Sequence, residues 1–135
     1  MDEKSEKIRQ ELDRQHAEID TVVSRLKALA GGGPSDEFRR ELAVFRELMR
    51  KHFAYEESIE KFEEFSQESP EMRSTFARIY KEHDELIGRL TELCAKGGDD
   101  VCAELQEFFT ALKRHGAREM DAIQKAYLTD VGPAD

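Results

Sequence analysis

The chain contains four histidines, and two of them are followed four residues later by a glutamate. The histidines are His16, His52, His83 and His115, and the glutamates are Glu56 and Glu119. Residues i and i+4 of an α-helix lie on one face with their Cβ atoms ~5–6 Å apart, so each HxxxE pair presents an imidazole and a carboxylate to the same side. These two side chains are common donors to transition-metal ions. The pattern therefore predicts a metal site built on helices.

Helix-breaking residues divide the chain into the four helical segments that must carry these histidines. The breaks are GGGPS at 31–35, SP at 69–70 and GGDD at 97–100. Ser35 and Ser69 are expected N-caps, and Pro70 suits the first helical position. Glycines end helices, and aspartates favour the start of the next one. We predict helices at about 4–29, 36–66, 70–96 and 100–128, followed by a frayed tail at 129–135.

Apolar residues recur with a 4-3-4-3 spacing in every segment, and the histidines fall within these stripes. In the second segment the stripe consists of Phe38, Leu42, Phe45, Met49, His52, Glu56 and Ile59. Such a stripe is typical of the core face of a left-handed helix bundle. Short connections make successive helices antiparallel, so we predict one all-α domain over 1–135, an up-down-up-down four-helix bundle. The histidines and their two glutamates are expected at core positions.

The two halves of the chain repeat one another around the histidines. The second and fourth segments align HxxxE on HxxxE, and the first and third align His16 on His83. Burying an unpaired carboxylate costs several kcal/mol of folding free energy, and coordination to a cation removes that penalty. A single core histidine is more often explained by an ordinary hydrogen bond. Matched positions in both halves favour metal binding instead.

The duplication favours two metal ions over a single octahedral ion. We expect His16 and His52 to hold one ion, His83 and His115 the other, and both glutamates to bridge them. These mixed donors suit iron, which we expect, and also Mn or Zn. A ferritin-like carboxylate bundle requires Glu-x-x-His on two helices, and that motif is absent. The residues three positions before the histidines are Asp13, Met49, Tyr80 and Leu112.

Four short motifs, in order, resemble those of the hemerythrin-like (HHE cation-binding) domains. They are HAEID from His16, HFAYEE at 52–57, KEHDEL at 81–86 and HGARE at 115–119, and together they cover almost the whole chain. The arrangement is of an H-HxxxE-H-HxxxE subtype. The resemblance implies an antiparallel four-helix bundle that holds a non-haem di-iron centre, two Fe ions joined by an oxo or hydroxo bridge.

The motifs differ from those of the oxygen-carrying hemerythrins in the third and last helices. Those proteins carry HxxxH and HxxxxD there, whereas this chain has Ile79 four residues before His83 and Met120 five residues after His115. The pattern is similar to family members linked to peroxide, nitric oxide or iron handling. We therefore expect a detoxifying redox protein that reacts with peroxide, NO or O2. Its chemistry could include catalase-like turnover of peroxide. The alternatives are a module that binds or senses O2 or iron without turnover, and a metal-free structural bundle.

Three further side chains lie within one turn of the expected ligands. Tyr55 or Tyr80 could serve as an extra ligand, although a tyrosine at a bundle edge with a solvated hydroxyl is the commoner case. Asp20 could orient the imidazole of His16 from behind, as carboxylates often do at metal sites. A solvated aspartate is the alternative.

Composition limits the partners and the compartment. A net charge of −9 makes nucleic acid and anionic membrane surfaces poor partners. No apolar run approaches the ~20 residues that span a bilayer, and the first residues lack the apolar core of a signal peptide. We therefore expect a cytoplasmic protein. Cys94 and Cys102, on either side of a Gly-Gly turn, are expected to be reduced and half-buried, with a disulfide as the alternative.

Overall fold

A computed structural model of the chain shows four long helices joined by short connections. They are α1 (Glu3–Ala30), α2 (Asp36–Ser58), α3 (Pro70–Ala95) and α4 (Val101–Val131). The structure describes residues 3–59, 64, 67, 69–96 and 100–131, and the side chains of these except at 4, 5 and 126–131. Within these residues there is no strand, and α1 packs on α2, α2 on α3 and α3 on α4. The all-α four-helix bundle predicted from the stripes is confirmed.

Serine caps begin α2 and α3 at the predicted residues. The side-chain oxygens of Ser35 and Ser69 each accept a hydrogen bond from the backbone N–H three residues later, at 3.1 Å and 3.0 Å. Before the first cap, Gly33 has a φ of 83°, a backbone conformation that favours glycine. These caps fix the residue at which each of the two helices begins.

The end of α2 differs from the prediction, because the helix stops at Ser58 rather than at 66. The hydroxyl of Ser58 donates to the Tyr55 carbonyl at 2.7 Å, which is the carbonyl that the N–H of Ile59 would use in a continuing helix. Ile59 has extended backbone (φ −70°, ψ 120°) and its side chain is buried. Glu64 and Gln67 are helical, so the helix is interrupted here. The rest of 60–68 lies outside the described residues.

The end of α4 also differs, because its backbone continues as helix to Val131. The first three residues of the predicted tail, 129–131, are therefore helical, and 132–135 lie outside the described residues. The apolar stripe stops before the last residues of the helix, so the sequence pattern predicted a shorter helix. No helix in the described part of the chain combines the length and apolarity that crossing a membrane requires.

Two apolar clusters fill the core, one toward each end of the helices. The first, toward the 31–35 connection, includes Leu26, Phe38, Leu42, Phe45, Leu90, Leu105 and Phe108. The second is formed by Ile59, Met72, Phe76, Ile79 and Ala122. Along α2, α3 and α4 the histidine lies between the residues of these two clusters. The bundle thus holds a polar layer with apolar packing on both sides.

Candidate metal centre

The structure brings five of the six predicted ligands into this polar layer. They are His52, Glu56, His83, His115 and Glu119, and none is more than 8% exposed. Charged and polar side chains are seldom buried this deeply unless they have partners. We call these five residues the inner layer.

Each inner glutamate faces two imidazoles. The Oε2 atom of Glu119 lies 3.0 Å from Nε2 of His115 and 3.3 Å from Nε2 of His83. Donor atoms of these three residues lie within 4.8 Å of one another, so one ion could contact all three. The Oε1 atom of Glu56 lies 3.5 Å from Nε2 of His52 and 3.6 Å from Nε2 of His83. This Oε1 atom is buried and has no hydrogen-bond partner.

His16 lies beside the inner layer rather than inside it. Its ring centroid is 4.8 Å from that of His52, with 62° between the ring planes. The rings of His83 and His115 form a matching pair, at 4.8 Å and 67°. The stripe placed His16 in the core, but its side chain is exposed. The physical reason is that α1 has fewer close backbone contacts with α4 than with α2, and His16 lies at the margin of its buried face.

Each of the three buried imidazoles donates a hydrogen bond, on the side away from the inner glutamates, to a polar residue that the sequence analysis missed. We call these three acceptors the outer partners. The hydrogen bonds join Nδ1 of His52 to Gln15 (2.8 Å), Nδ1 of His83 to Glu57 (2.8 Å) and Nδ1 of His115 to Glu82 (2.7 Å). Each acceptor is a side-chain oxygen, so Nδ1 donates the proton and Nε2 faces the inner glutamates. In the tautomer that is protonated only at Nδ1, the Nε2 lone pair is available to a metal. Metal coordination through Nε2 requires this tautomer. The sequence offers one clue to two of these residues, because Gln15 and Glu82 each directly precede a histidine.

Two further contacts fix the His83–His115 side of the layer. Arg118 donates from Nε to Oε1 of Glu82 at 3.2 Å and forms an ion pair with Oε2 at 2.9 Å, which holds the carboxylate that faces His115. Phe53 stacks on the ring of His83 at a centroid distance of 4.0 Å and an interplanar angle of 7°. The same phenyl ring meets His115 edge-on at 5.6 Å. These contacts restrict rotation of both imidazoles.

The two buried carboxyl groups of the layer have pKa values that move in opposite directions. Burial, reinforced by the neighbouring Glu119, raises the pKa of Glu56 to about 11. Burial alone would raise the pKa of Glu119 as well, but hydrogen bonds from His115 and His83 outweigh it and hold this pKa below its usual range. Burial and the neighbouring His16 lower the pKa of His52 to about 4. A bound cation would remove the conflict between the two carboxyl groups.

The other predicted candidates lie outside the inner layer. Tyr55 and Tyr80 are half-buried against the second apolar cluster, and the Tyr80 ring centroid is 6.0 Å from that of His83. A ligand role for either tyrosine stays a prediction. Asp20 is exposed and makes no hydrogen bond to His16 in the described chain, so the structure gives no support for its predicted orienting role. Cys94 and Cys102 are free, half-buried thiols.

The donor set of the inner layer fits a bound metal. Three imidazoles turn Nε2 inward, two carboxyl groups face them, and one buried carboxyl oxygen has no hydrogen bond. Burying such groups without a compensating partner is costly, and a cation provides that partner. The same atoms would hold it: Nε2 of each buried histidine and the carboxyl oxygens of Glu56 and Glu119.

Comparison with known families agrees with this arrangement. The family model of the hemerythrin HHE cation binding domain matches residues 7–127, a range that includes all six predicted ligands. The chain therefore belongs to the hemerythrin HHE cation-binding family, as its motifs predicted. No curated protein and no solved structure gives a significant match. Metal binding is the function that family and inner layer share.

Proposed function

We propose that this protein binds two iron ions and reacts with small oxygen or nitrogen species, namely peroxide, NO or O2. The observation that carries the proposal is the pair of matching imidazole pairs, each with ring centroids 4.8 Å apart and each next to an inner glutamate. In the proposed centre His16 and His52 hold one ion, and His83 and His115 hold the other. Glu56, whose Oε1 atom faces His52 and His83, and Glu119, whose Oε2 atom faces His83 and His115, would serve as the bridging carboxylates.

Iron held by imidazole and carboxylate donors supplies redox change and open coordination positions for small ligands. The chain itself contributes a fixed set of donors, because the outer hydrogen bonds prevent the buried imidazoles from turning. The apolar clusters on both sides of the layer exclude bulk water. Such crowding suits diatomic and peroxide-sized ligands better than larger substrates. The exposed side chain of His16 lies where the layer meets solvent.

Anaerobic loading of the metal-free, full-length protein with Fe(II), followed by optical titration with O2, NO and peroxide, tests the proposal. We expect iron uptake and a spectral change with at least one of these ligands. Many ligand molecules consumed per protein would support a detoxifying redox protein. A single reversible binding event per centre would support the alternative, an O2-binding or sensing module without turnover.

Two conservative variants provide matched controls for that experiment. Glu119→Gln removes a carboxylate from the inner layer, whereas Glu107→Gln removes one from an exposed site on the same helix. We expect the first variant to lose iron and reactivity together and the second to behave as the unmodified protein. A colourless protein that takes up no iron would contradict the proposal.

A further inference from the structure

We infer that the two metal positions are unequal, so that the His83–His115 position fills first and binds its ion more tightly than the His16–His52 position. This inference rests on the two-ion centre proposed above. We call the His83–His115 position the inner position and the His16–His52 position the edge position. Three differences between residues that the repeat makes equivalent support it.

The first difference is the charge of the outer partner that accepts the Nδ1 hydrogen bond of each HxxxE histidine. Gln15 and Glu82 are equivalent in the repeat, since each directly precedes a lone histidine and accepts a hydrogen bond from the HxxxE histidine of its own half. His115 therefore bonds to a carboxylate where His52 bonds to a neutral amide. A carboxylate makes an imidazole a better donor to a metal than an amide does. Arg118 additionally fixes Glu82 in place, at 2.9 Å.

The second difference is a missing outer partner. Nδ1 of His83 is hydrogen-bonded to Glu57, the residue after the glutamate of the first HxxxE motif, at 2.8 Å. The equivalent residue after the second motif is Met120, whose thioether cannot replace a carboxylate and whose side chain is 56% exposed. His16 correspondingly makes no hydrogen bond among the described side chains. No hydrogen bond within the described part of the chain restrains rotation of its imidazole, and binding a metal would restrain it.

The third difference is exposure to solvent. His83 and His115 are 1% and 2% exposed, whereas His16 is an exposed residue. Attraction between a cation and its ligands is weaker where water is present. Loss of a single outer partner typically lowers metal affinity by about 10–100-fold. With two carboxylate partners at the inner position and none at the edge, we expect at least about a tenfold difference.

Titration of the metal-free, full-length protein with Co(II), followed by visible absorption and calorimetry, measures both positions. We expect two binding steps, the first at least about tenfold tighter. Exchanging the equivalent outer partners assigns the steps. Glu82→Gln should weaken the first step by about 10–100-fold, and Gln15→Glu should tighten the second by about tenfold. Glu107→Gln and Gln106→Glu make the same charge changes at exposed sites on α4 and should alter neither step.

The variant His16→Ala provides a second assignment, and its exposed position makes misfolding a minor concern, which circular dichroism checks. It should weaken the second step and leave the first unchanged. Two steps of equal affinity, a first step that Glu82→Gln leaves unaltered, or a first step weakened by His16→Ala would each overturn the inference while leaving the two-ion centre intact. A single Co(II) per chain would overturn the two-ion proposal itself.

Discussion

The same helical stripes contain one level of apolar side chains and one level of polar side chains. Phe45 on α2 and Phe108 on α4 are fully buried and meet edge-on, with ring centroids 5.9 Å apart. Two turns further along the same stripes lie His52 and His115, which are buried almost as deeply. One level is apolar packing, and the other is the polar inner layer.

The comparison separates what stabilises this protein from what it does. Burying apolar side chains contributes about 25 cal/mol per Å² to the free energy of unfolding. Burying the inner layer without a cation opposes folding, as the unsatisfied oxygen of Glu56 and the raised pKa of that carboxyl group show. We therefore expect substitutions at the two levels to have opposite effects on the metal-free protein.

The largest effect is expected at the apolar level. Phe45→Ala removes a fully buried phenyl ring and should lower the free energy of unfolding by about 3–5 kcal/mol, because a cavity remains. Urea unfolding of the metal-free protein measures the change. Val44→Ala, at the neighbouring and 46% exposed position, is the control and should change it by less than about 0.5 kcal/mol. Equal effects at the two positions would contradict the assigned core.

The next effect is expected from the metal. An ion that binds only the folded chain adds about 4 kcal/mol of stability at a free concentration about 1,000 times its Kd. A chelator should therefore lower the Tm of the iron-loaded protein, as differential scanning calorimetry can show. In the double variant Glu56→Met with Glu119→Met the chelator should have no effect. An unchanged Tm in the unmodified protein would show that the inner layer gains nothing from metal.

A smaller effect of opposite sign is expected from a single substitution in the inner layer. Glu56→Met replaces a buried carboxyl group without a full set of hydrogen bonds by an apolar side chain of similar length. The metal-free protein should gain about 1–3 kcal/mol, because the desolvation cost disappears. Iron affinity should fall at the same time. Destabilisation as large as that of Phe45→Ala would mean that Glu56 stabilises the fold by itself.

The smallest effect is expected at a helix cap, which lies outside both levels. Ser69→Ala removes the hydrogen bond to the first turn of α3 and should cost about 1 kcal/mol in the free energy of unfolding. Because the inner layer lies several turns away, iron affinity should stay unchanged. Ser24→Ala, at an exposed position within α1, is the matched control. A loss of iron binding in Ser69→Ala would show that the two levels are coupled.

Much of the fold could be predicted from the sequence because local rules decide it. Ser35 and Ser69 are strong caps, and the 4-3-4-3 stripes specify which face of each helix is buried. The end of α2 could not be predicted, since it depends on the hydroxyl of Ser58 taking a backbone carbonyl beside a buried Ile59. Nothing in the stripe distinguishes that serine from one on an uninterrupted helix.

The site was predictable only in part for a related reason. The inner glutamates and the buried histidines lie on the stripes, where polar residues are conspicuous. Their outer partners Gln15, Glu57 and Glu82 lie beside the stripes and resemble ordinary solvated side chains. The exposure of His16 depends on how α1 packs against the other helices, which no local pattern encodes. Tertiary contacts therefore decide which predicted ligands are fully enclosed.

The iron content of the full-length protein tests the central claim most directly. Metal-free protein would be loaded anaerobically with Fe(II), freed of unbound iron by gel filtration and analysed for metal, beside the double variant Glu56→Met with Glu119→Met. The two-ion centre predicts two irons per chain in the unmodified protein and none in the variant. Equal iron in both proteins, or none in either, would contradict the assignment of the inner layer as the metal centre.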